Sequence, residues 1–370
     1  MFVFYMIMVV LVLVSMISGR LMYQQRQKIS DEKFPNNKMA VSLIIPARNE
    51  AQNLPNLLAT ITEIDNKEIE VIVMNDGSTD KTQEIAQGYG AKVYNIDNKS
   101  SWKGKSRACW EGSKHASHDL LLFIDADVQF CGSESIEKIV QQYQRQNGHG
   151  LLSIQPYHRI QKVYENISAI FNLMTIVGMN KFSITSNNKD KKNAFGPIVL
   201  TNKKDYHETQ GHLNAKDKVI EGFALSKAYS DANMPVEIYE GEGIANFRMY
   251  PQGFKALVEG WSKHFALGST TTKKSTFSLI ILWLMGSIVS SLTVLLSVKL
   301  SIFYIMLSLL IYIAYTIQFH LLINRTGNFS LIASACHPFL FICFLAIFFK
   351  SWLDANIFKR IKWKGRDIKL

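Results

Sequence analysis

Hydrophobic and polar positions divide this chain into apolar ends and a mixed middle. Residues Met1 to Gly19 carry no charge, and Arg20, Arg26, Lys28 and Lys33 follow them. Three further apolar stretches, Phe277–Val298, Leu300–Ile323 and Phe329–Phe349, stand near the other end. Each exceeds the roughly 18 apolar residues that a membrane-spanning helix requires. His337 and Pro338 interrupt the last one, which is expected to kink or re-enter rather than span.

In the middle the pattern shortens and alternates. Val41–Ile45 reads as a buried strand ending at Pro46, Glu70–Met74 as a second, Ala91–Tyr94 as a third and Asp119–Ile124 as a fourth. Helices are predicted between them at Asn53–Ile64, at Thr79–Tyr89 with Gly90 as its stop, and at Lys105–His115. This βα alternation predicts an α/β fold with a mostly parallel sheet. No G-x-G-x-x-G follows the first strand, which argues against a dinucleotide cofactor. Further on, Leu151–Gln155, Pro197–Leu200 and Val236–Tyr239 read as strands and Val219–Tyr229 as a helix. Ile160–Met179 follows no strict face and reads either as a core helix or as a helix in the membrane interface.

Charge adds topology. The positive residues follow the first apolar run instead of preceding it, and no small-x-small cleavage site follows cleanly. Residues 1–23 therefore read as an uncleaved anchor. Residues 31–274 then form one block large enough for its own core, 277–349 three membrane segments, and 350–370 a basic tail. The positive-inside rule places the block in the cytoplasm, and Lys263, Lys273 and Lys274 agree. Three late crossings would put the tail outside, yet Lys359, Arg360, Lys362, Lys364, Arg366 and Lys369 are all basic. Either the tail tolerates that side or one late segment does not cross. The net charge of +11 reads as contact with anionic membrane lipids, not nucleic acid. The four cysteines form no C-x-x-C and read as reduced structural thiols.

Candidate chemistry gathers where the early strands end, the edge at which open sheets bind ligands. Pro46-Ala47-Arg48-Asn49-Glu50 ends the first strand; Arg48 suits a phosphate, and Glu50 a ribose hydroxyl or a helix start. Asp76 accepts hydrogen bonds from a base or ribose, or serves the Asn75-Asp76-Gly77 turn. Ser78 or Thr79 is expected to cap the next helix. Lys105 opens a helix, where a cation opposes the dipole and calls for an anion such as a diphosphate. Asp125 and Asp127 follow Leu120–Ile124, and paired carboxylates at a strand end can hold Mg²⁺ or Mn²⁺ with the phosphates it neutralises. His207 and His212 lack a third ligand in their spacing and read as surface or loop histidines.

As an ordered set, Ile44–Glu50, Asn75–Asp80, Gly104-Lys105 and Asp125–Asp127 resemble the signature of the family-two glycosyltransferases with the A-type fold. The stretches Trp102–Ser106, Gln155–His158, Phe171–Thr175 and Phe247–Tyr250 are similar to members of that family that act on carotenoid acids in staphyloxanthin synthesis. This resemblance implies a membrane-anchored A-type fold and an inverting, metal-assisted transfer of glucose from UDP-glucose. The acceptor it implies is the carboxyl group of a membrane-dissolved C30 carotenoid acid, and association with other enzymes of that pathway would follow. It places Pro46, Arg48, Glu50, Asp76, Lys105 and Asp125 on the donor and Asp127 on the metal. Many family members carry Glu-Asp ahead of an acceptor-site helix, the Asp being the base; here that place reads Glu221-Gly222, which leaves Glu221 as the catalytic candidate. The family's Q-x-x-R-W motif is absent. Its nearest counterpart, Glu259–His264, offers Trp261 and His264 as acceptor-site or membrane-interface candidates. A polyprenyl phosphate or diacylglycerol acceptor, or a polysaccharide synthase, are the alternative readings.

Overall fold

The structure, a computed structural model, describes residues 1–32, 40–64, 68–97, 100, 102–186, 193–216, 221–268, 272–357, 360–363 and 366–369. In chain order, helix α1 (Phe2–Met22) precedes β1 (Val41–Ala47), α2 (Leu54–Thr62), β2 (Ile69–Asn75), α3 (Thr82–Gly88) and β3 (Lys92–Asn95). Then come α4 (Lys105–His115), β4 (Leu120–Ile124), β5 (Val128–Phe130), α5 (Ser135–Arg145), β6 (Leu151–His158) and α6 (Ser168–Val177). They are followed by β7 (Ile198–Asn202), α7 (Lys203–Glu208), α8 (Glu221–Asp231), β8 (Val236–Phe247) and α9 (Phe254–Gly268). Four helices, α10 (Lys274–Ser297), α11 (Ile302–Ile323), α12 (Leu331–Ala335) and α13 (His337–Asn356), lead to a small hairpin of β9 (Arg360–Trp363) and β10 (Arg366–Lys369). Two compact units result: residues 27–157 with 191–248, and residues 1–26 with 158–190 and 249–370.

The first unit holds an eight-stranded sheet in the order β3-β2-β1-β4-β7-β6-β8-β5. The four strands β3, β2, β1 and β4 are parallel, as their βα alternation predicts. Beyond β4 the pairing turns antiparallel, at β4–β7, β6–β7 and β5–β8. The sheet is therefore mixed, which corrects the mostly parallel expectation: the alternation that signals parallel strands stops at β4. Burial explains the central position of β1, in which every residue but Pro46 is fully buried. Val41, Leu43 and Ile45 face α2 and α5 through Leu57, Leu58, Ile61, Ile136 and Ile139. Ile44 faces the other way, with Ile72, Met74, Ala108 and Cys109. Gly112 brings α4 close on that face, since a Cβ there would lie 2.5 Å from Ile44 and 2.9 Å from Met74.

The second unit is helical. Helices α1, α10, α11 and residues His337–Asp354 of α13 are each long and apolar enough to cross a membrane. Ser18 Oγ donates to Leu279 O (2.6 Å), pairing the end of α1 with the start of α10. Tyr5 Oη meets Ser308 Oγ (2.8 Å) and Arg325 Nη2 donates to Gln25 O (2.9 Å), so α1 and α11 run parallel. Small residues make the α1–α10 approach possible: a Cβ on Gly286 would lie 1.9 Å from Ser15 Oγ. Of the two readings of Ile160–Met179, the core one holds, because nine of the ten residues of α6 are buried. The break at His337 and Pro338 is real, but Pro338 stands in the first turn of α13, where proline is tolerated, instead of kinking a continuous helix.

Candidate active site

The site is built on the carboxyl ends of β1, β2 and β4. Asn49, at φ +55°, makes the chain turn sharply after β1. Its side-chain oxygen accepts from Thr79 N (2.8 Å) and its own N–H donates to Ser78 Oγ (3.0 Å). Asp80 accepts from Ala51 N (3.1 Å) and Thr82 N (3.1 Å), clamping the two loops together. The helix start here is thus met by Asp80, and Ser78 and Thr79 brace the loop after β1; the expected Ser78 or Thr79 cap is corrected. Pro46 sits within β1 opposite Met74.

Asp76 is buried at 4% exposure. It accepts from Gly104 N (3.2 Å) and lies 3.6 Å from Arg48 Nη1. Gly104 takes φ +90°, a conformation that favours glycine, and α4 begins at the next residue. Glu50 lies at the start of α2, where Asn53 Nδ2 donates to its Oε2 (2.7 Å) and Thr82 Oγ1 accepts from its N–H (2.8 Å). That geometry matches the helix-start reading of Glu50.

Lys105 is the hub. Its Nζ lies 2.7 Å from Asp125 Oδ1 and 2.6 Å from Glu221 Oε1, and donates to Gly196 O at 3.1 Å. The anion that the helix dipole demands is therefore supplied within the protein by two carboxylates. Asp125 is fixed by its N–H to Pro197 O (2.9 Å), and Val128 N closes the turn on Asp125 O (3.1 Å) with Asp127 inside it. Gly196 leaves room for the pair: a Cβ there would lie 2.5 Å from Glu221 Oε1 and 3.1 Å from Lys105 Nζ.

The charges are unequal. Burial acts against the Lys105 cation, but Asp125 and Glu221 outweigh it and hold the ammonium well above the usual lysine range. Burial also acts against Glu221, yet Lys105 pulls its carboxyl down to about 2. Asp125 shares the same cation and stands near Asp127 and Glu221; burial and these like charges push it up to about 7. All three side chains keep 21–26% of their surface exposed, so solvent screens part of each effect. Among the described residues no group of three or more His, Cys, Asp or Glu is placed to hold a metal. Two carboxylates, Asp125 and Asp127, still suit an ion that takes its remaining oxygens from phosphates and water.

Sequence reasoning missed two features. His212 is buried at 1% exposure with Nδ1 2.9 Å from Tyr206 Oη, not a surface histidine; His207 is exposed. Burial drops the His212 pKa to about 3, so it stands neutral beneath the cluster. Its flanking Gly211 was a signal, since a Cβ there would meet the Tyr206 ring at 2.3 Å. The second is the reason that Gly222 stands where the family carries an aspartate: a Cβ there would lie 2.3 Å from Ala194 O, so no aspartate fits this backbone. Trp261 and His264 belong to α9 in the helical unit. Trp261 is 2% exposed, donates to Ser168 Oγ (2.9 Å) and stacks on Phe171 (5.1 Å), so its ring packs in the interior of that unit. The side chain of His264 lies outside the described residues.

Residues 42–203 match the Glycosyl transferase family 2 profile. The chain is also 44% identical over 363 residues to 4,4'-diaponeurosporenoate glycosyltransferase of Staphylococcus aureus strain N315, covering 98% of this chain and 96% of that one. This chain belongs to glycosyl transferase family 2. The same protein of strain USA300 is equally similar, at 44% over 363 residues. Among solved structures, the mannosyltransferase PcManGT of Pyrobaculum calidifontis in complex with GDP-Man and Mn²⁺ aligns with a TM-score of 0.50. That alignment has 14% identity and covers 89% of this chain and 94% of that one, a likeness of fold alone. The family 2 enzyme described here therefore carries the A-type glycosyltransferase fold with a mixed sheet, flanked by apolar helices at both ends.

Proposed function

We propose that this glycosyltransferase moves glucose from UDP-glucose to the carboxyl group of 4,4'-diaponeurosporenoate, giving a glucosyl ester with inversion at the anomeric carbon. The observation that carries the acceptor is the 44% identity, sustained over 98% of the chain, to a protein named for that carotenoid acid. In this reading residues 31–274 work on the cytoplasmic side, residues 1–23 and 277–349 hold the enzyme in the membrane, and the acceptor arrives dissolved in lipid.

Arg48 and Asp76, at the ends of β1 and β2, receive the uridine and ribose side of the donor, with Pro46 and Glu50 shaping that loop. Lys105 faces the diphosphate. Asp127, with Asp125, would hold Mg²⁺ or Mn²⁺, which when bound neutralises the charge that grows on the departing UDP. A carboxylate oxygen of the acceptor attacks the anomeric carbon, the bond from that carbon to the phosphate oxygen breaks, and its electron pair leaves with UDP. An acid with a reference pKa of about 4 is already ionised near pH 7, so no proton need be removed. Glu221 suits this reaction poorly as a base, because Lys105 holds it as an anion near pKa 2. Its role here is to fix the Lys105 ammonium. A hydroxyl acceptor would need the base that Gly222 has no room to carry.

The test is turnover by the purified enzyme with labelled UDP-glucose and three acceptors: the carotenoid acid, its methyl ester, and a polyprenyl phosphate or diacylglycerol. Label should enter only the free acid, in a product that mild alkali hydrolyses. Equal or better labelling of the hydroxyl or phosphate lipid would overturn the reading.

A further inference from the structure

The last apolar segment does not cross the bilayer; we infer that α12 and α13 form a re-entrant hairpin whose exposed apolar stripe lies in the acyl chains of one leaflet. The argument is one of depth within the helical unit. Helices α10 and α11 each run long enough to cross a hydrocarbon layer of about 30 Å at about 1.5 Å per residue. Ser287 lies near the middle of α10, and Tyr312 and Tyr315 near the middle of α11. The turn between α12 and α13 sits at that level. His337 Nδ1 lies 2.8 Å from Ser287 Oγ, and its ring is 4.8 Å from Tyr312 and 4.9 Å from Tyr315. Tyr312 Oη donates to Ala335 O (2.6 Å), and Ser334 Oγ meets His320 Nδ1 (2.8 Å).

Both ends of the hairpin return to one side. On entry, Thr326 O accepts from His158 N (2.9 Å) and from Asn172 Nδ2 of α6 (2.9 Å), and Ser330 N donates to Asn166 Oδ1 (3.0 Å). On exit, Phe344 packs on Phe171 of α6 (4.9 Å) and Ser351 Oγ donates to Ser262 O of α9 (2.6 Å). Helix α9 is itself tied to α6 through Trp261 and Ser168 (2.9 Å). The end of α1 joins the same level, because Arg325 Nη2 donates to Gln25 O (2.9 Å). From His337 to Ser351 a helix rises about 21 Å at 1.5 Å per residue; α13 is long enough to span, but because it starts at mid-depth this rise takes it out through one leaflet.

The chemistry of the turn fits this depth. In hydrocarbon a helix end needs partners for its free carbonyls and N–H groups, and a turn survives only inside protein. Cys336 N reaches Ile332 O and Ala333 O (both 3.1 Å), and the Tyr312 hydroxyl meets Ala335 O (2.6 Å). On α13, Leu340, Phe344, Ile347 and Ser351 are buried. Phe339, Ile342, Leu345, Phe349 and Trp352 stay 46–59% exposed on the other face. That stripe is continuous with membrane-spanning helices along a helix anchored at mid-depth, so its occupant is phospholipid acyl chain. The arrangement also puts the basic residues after α13 on the same side as Arg20 and Arg26, as the positive-inside rule asks.

Single cysteines in a background with Cys109, Cys131, Cys336 and Cys343 replaced by serine test this in intact cells. Gln24→Cys marks one side, exposed Lys299→Cys in the α10–α11 turn the other, and Ile357→Cys reports the end of α13. A cysteine appended after Leu370 gives a second report that disturbs no helix. Ile357→Cys and the appended cysteine should follow Gln24→Cys in their reaction with a membrane-impermeant maleimide. Labelling together with Lys299→Cys would show that α13 spans and would end the proposal. A nitroxide at Ile342→Cys in liposomes should collide with dissolved oxygen at least several-fold more than with a water-soluble nickel chelate. Protection from both would mean a protein partner covers the stripe; preference for nickel would mean it faces water. Either result overturns the lipid assignment.

Discussion

Single charges decide the site. Asp127 stands in the turn after β4 beside Asp125, whose carboxyl Asp127 helps to push up to about 7. Asp127→Asn keeps the size and removes the charge, so turnover should fall at least about 100-fold, in line with loss of a charge-stabilising group. The residual rate should no longer respond to Mg²⁺ or Mn²⁺; unchanged activity and metal response would remove Asp127 from the site. Glu221→Gln leaves Lys105 with Asp125 alone. Turnover should drop about 10-fold as the ammonium loses one of its two anchors. Glu221, with its pKa near 2, contributes no limb of its own to the pH profile between pH 5 and 9; the change expected there is a downward shift of Asp125, which loses a neighbouring like charge. Complete loss rescued by raising the pH would instead reveal an essential base. Asp76, Asp125 and Asp127 were legible because each stands where an apolar run ends, and strand ends are where ligands bind; Lys105 was legible because a cation at a helix start calls for an anion. The ion triad was not legible, since Glu221 and Gly196 reach Lys105 only through the folded antiparallel half. Nor was the burial of His212, whose neighbour Tyr206 packs over Gly211.

Elements are held in register by a second buried carboxylate far from the chemistry. Glu70 opens β2 and is 8% exposed. It pairs with Lys92 of β3 (2.6 Å), accepts from Ser117 N ahead of β4 (2.8 Å) and takes the Ser42 hydroxyl of β1. One side chain thus ties all four parallel strands. Burial opposes its charge, but Lys92, Ser117 and Ser42 prevail and lower its pKa to about 2 from 4.5. A depressed folded pKa contributes stability that is complete above the unfolded value near 4.5 and is lost as pH falls toward 2. Lys92 is 56% exposed and solvent screens its part, so the size is about 1–2 kcal/mol at pH 7. Glu70→Gln should therefore lower the melting midpoint by several degrees at pH 7, with the gap to the wild type closing between pH 4.5 and 2.5 in thermal scans. A gap that persists undiminished at low pH would assign the loss to packing. The four strands themselves were readable from buried runs and βα spacing. Helix α5 was missed although Ile136, Ile139, Val140 and Tyr143 mark a helical face, because it lies in the irregular half where no strand had set its phase. Strand β8 was read too short: Gly241 and Gly243 look like a stop, yet Gly241 is there because a Cβ would meet Gln155 O at 2.5 Å.

At the scale of the whole molecule, hydropathy gave the number of apolar helices but not their course. Length and composition qualify four helices to cross. What hydropathy does not carry is depth, which depends on contacts such as His337 to Ser287 that join positions far apart in the chain. Orientation is a separate matter and rests on charge. Arg20 lies in the last turn of α1, Arg26 and Lys28 follow it, and Lys273 and Lys274 lead into α10, so both bordering segments are basic. Cationic residues are retained on the cytoplasmic face, where each is worth about 1 kcal/mol against anionic lipid. The chain passes into the sheet unit at residues 26–27, within the first of these basic segments. On the proposed reading that unit lies in the cytoplasm, where nucleotide sugars are made. Ser30 lies just after this junction, its N–H donating to Gln142 Oε1 (3.2 Å). Ser30→Cys in the cysteine-free background should resist an impermeant maleimide in intact cells and react after permeabilisation, while Lys299→Cys should react in intact cells. Labelling of Ser30→Cys without lysis would place the sheet unit outside the cell. It would cut the enzyme off from a cytoplasmic pool of UDP-glucose and require a donor carried by lipid in its place.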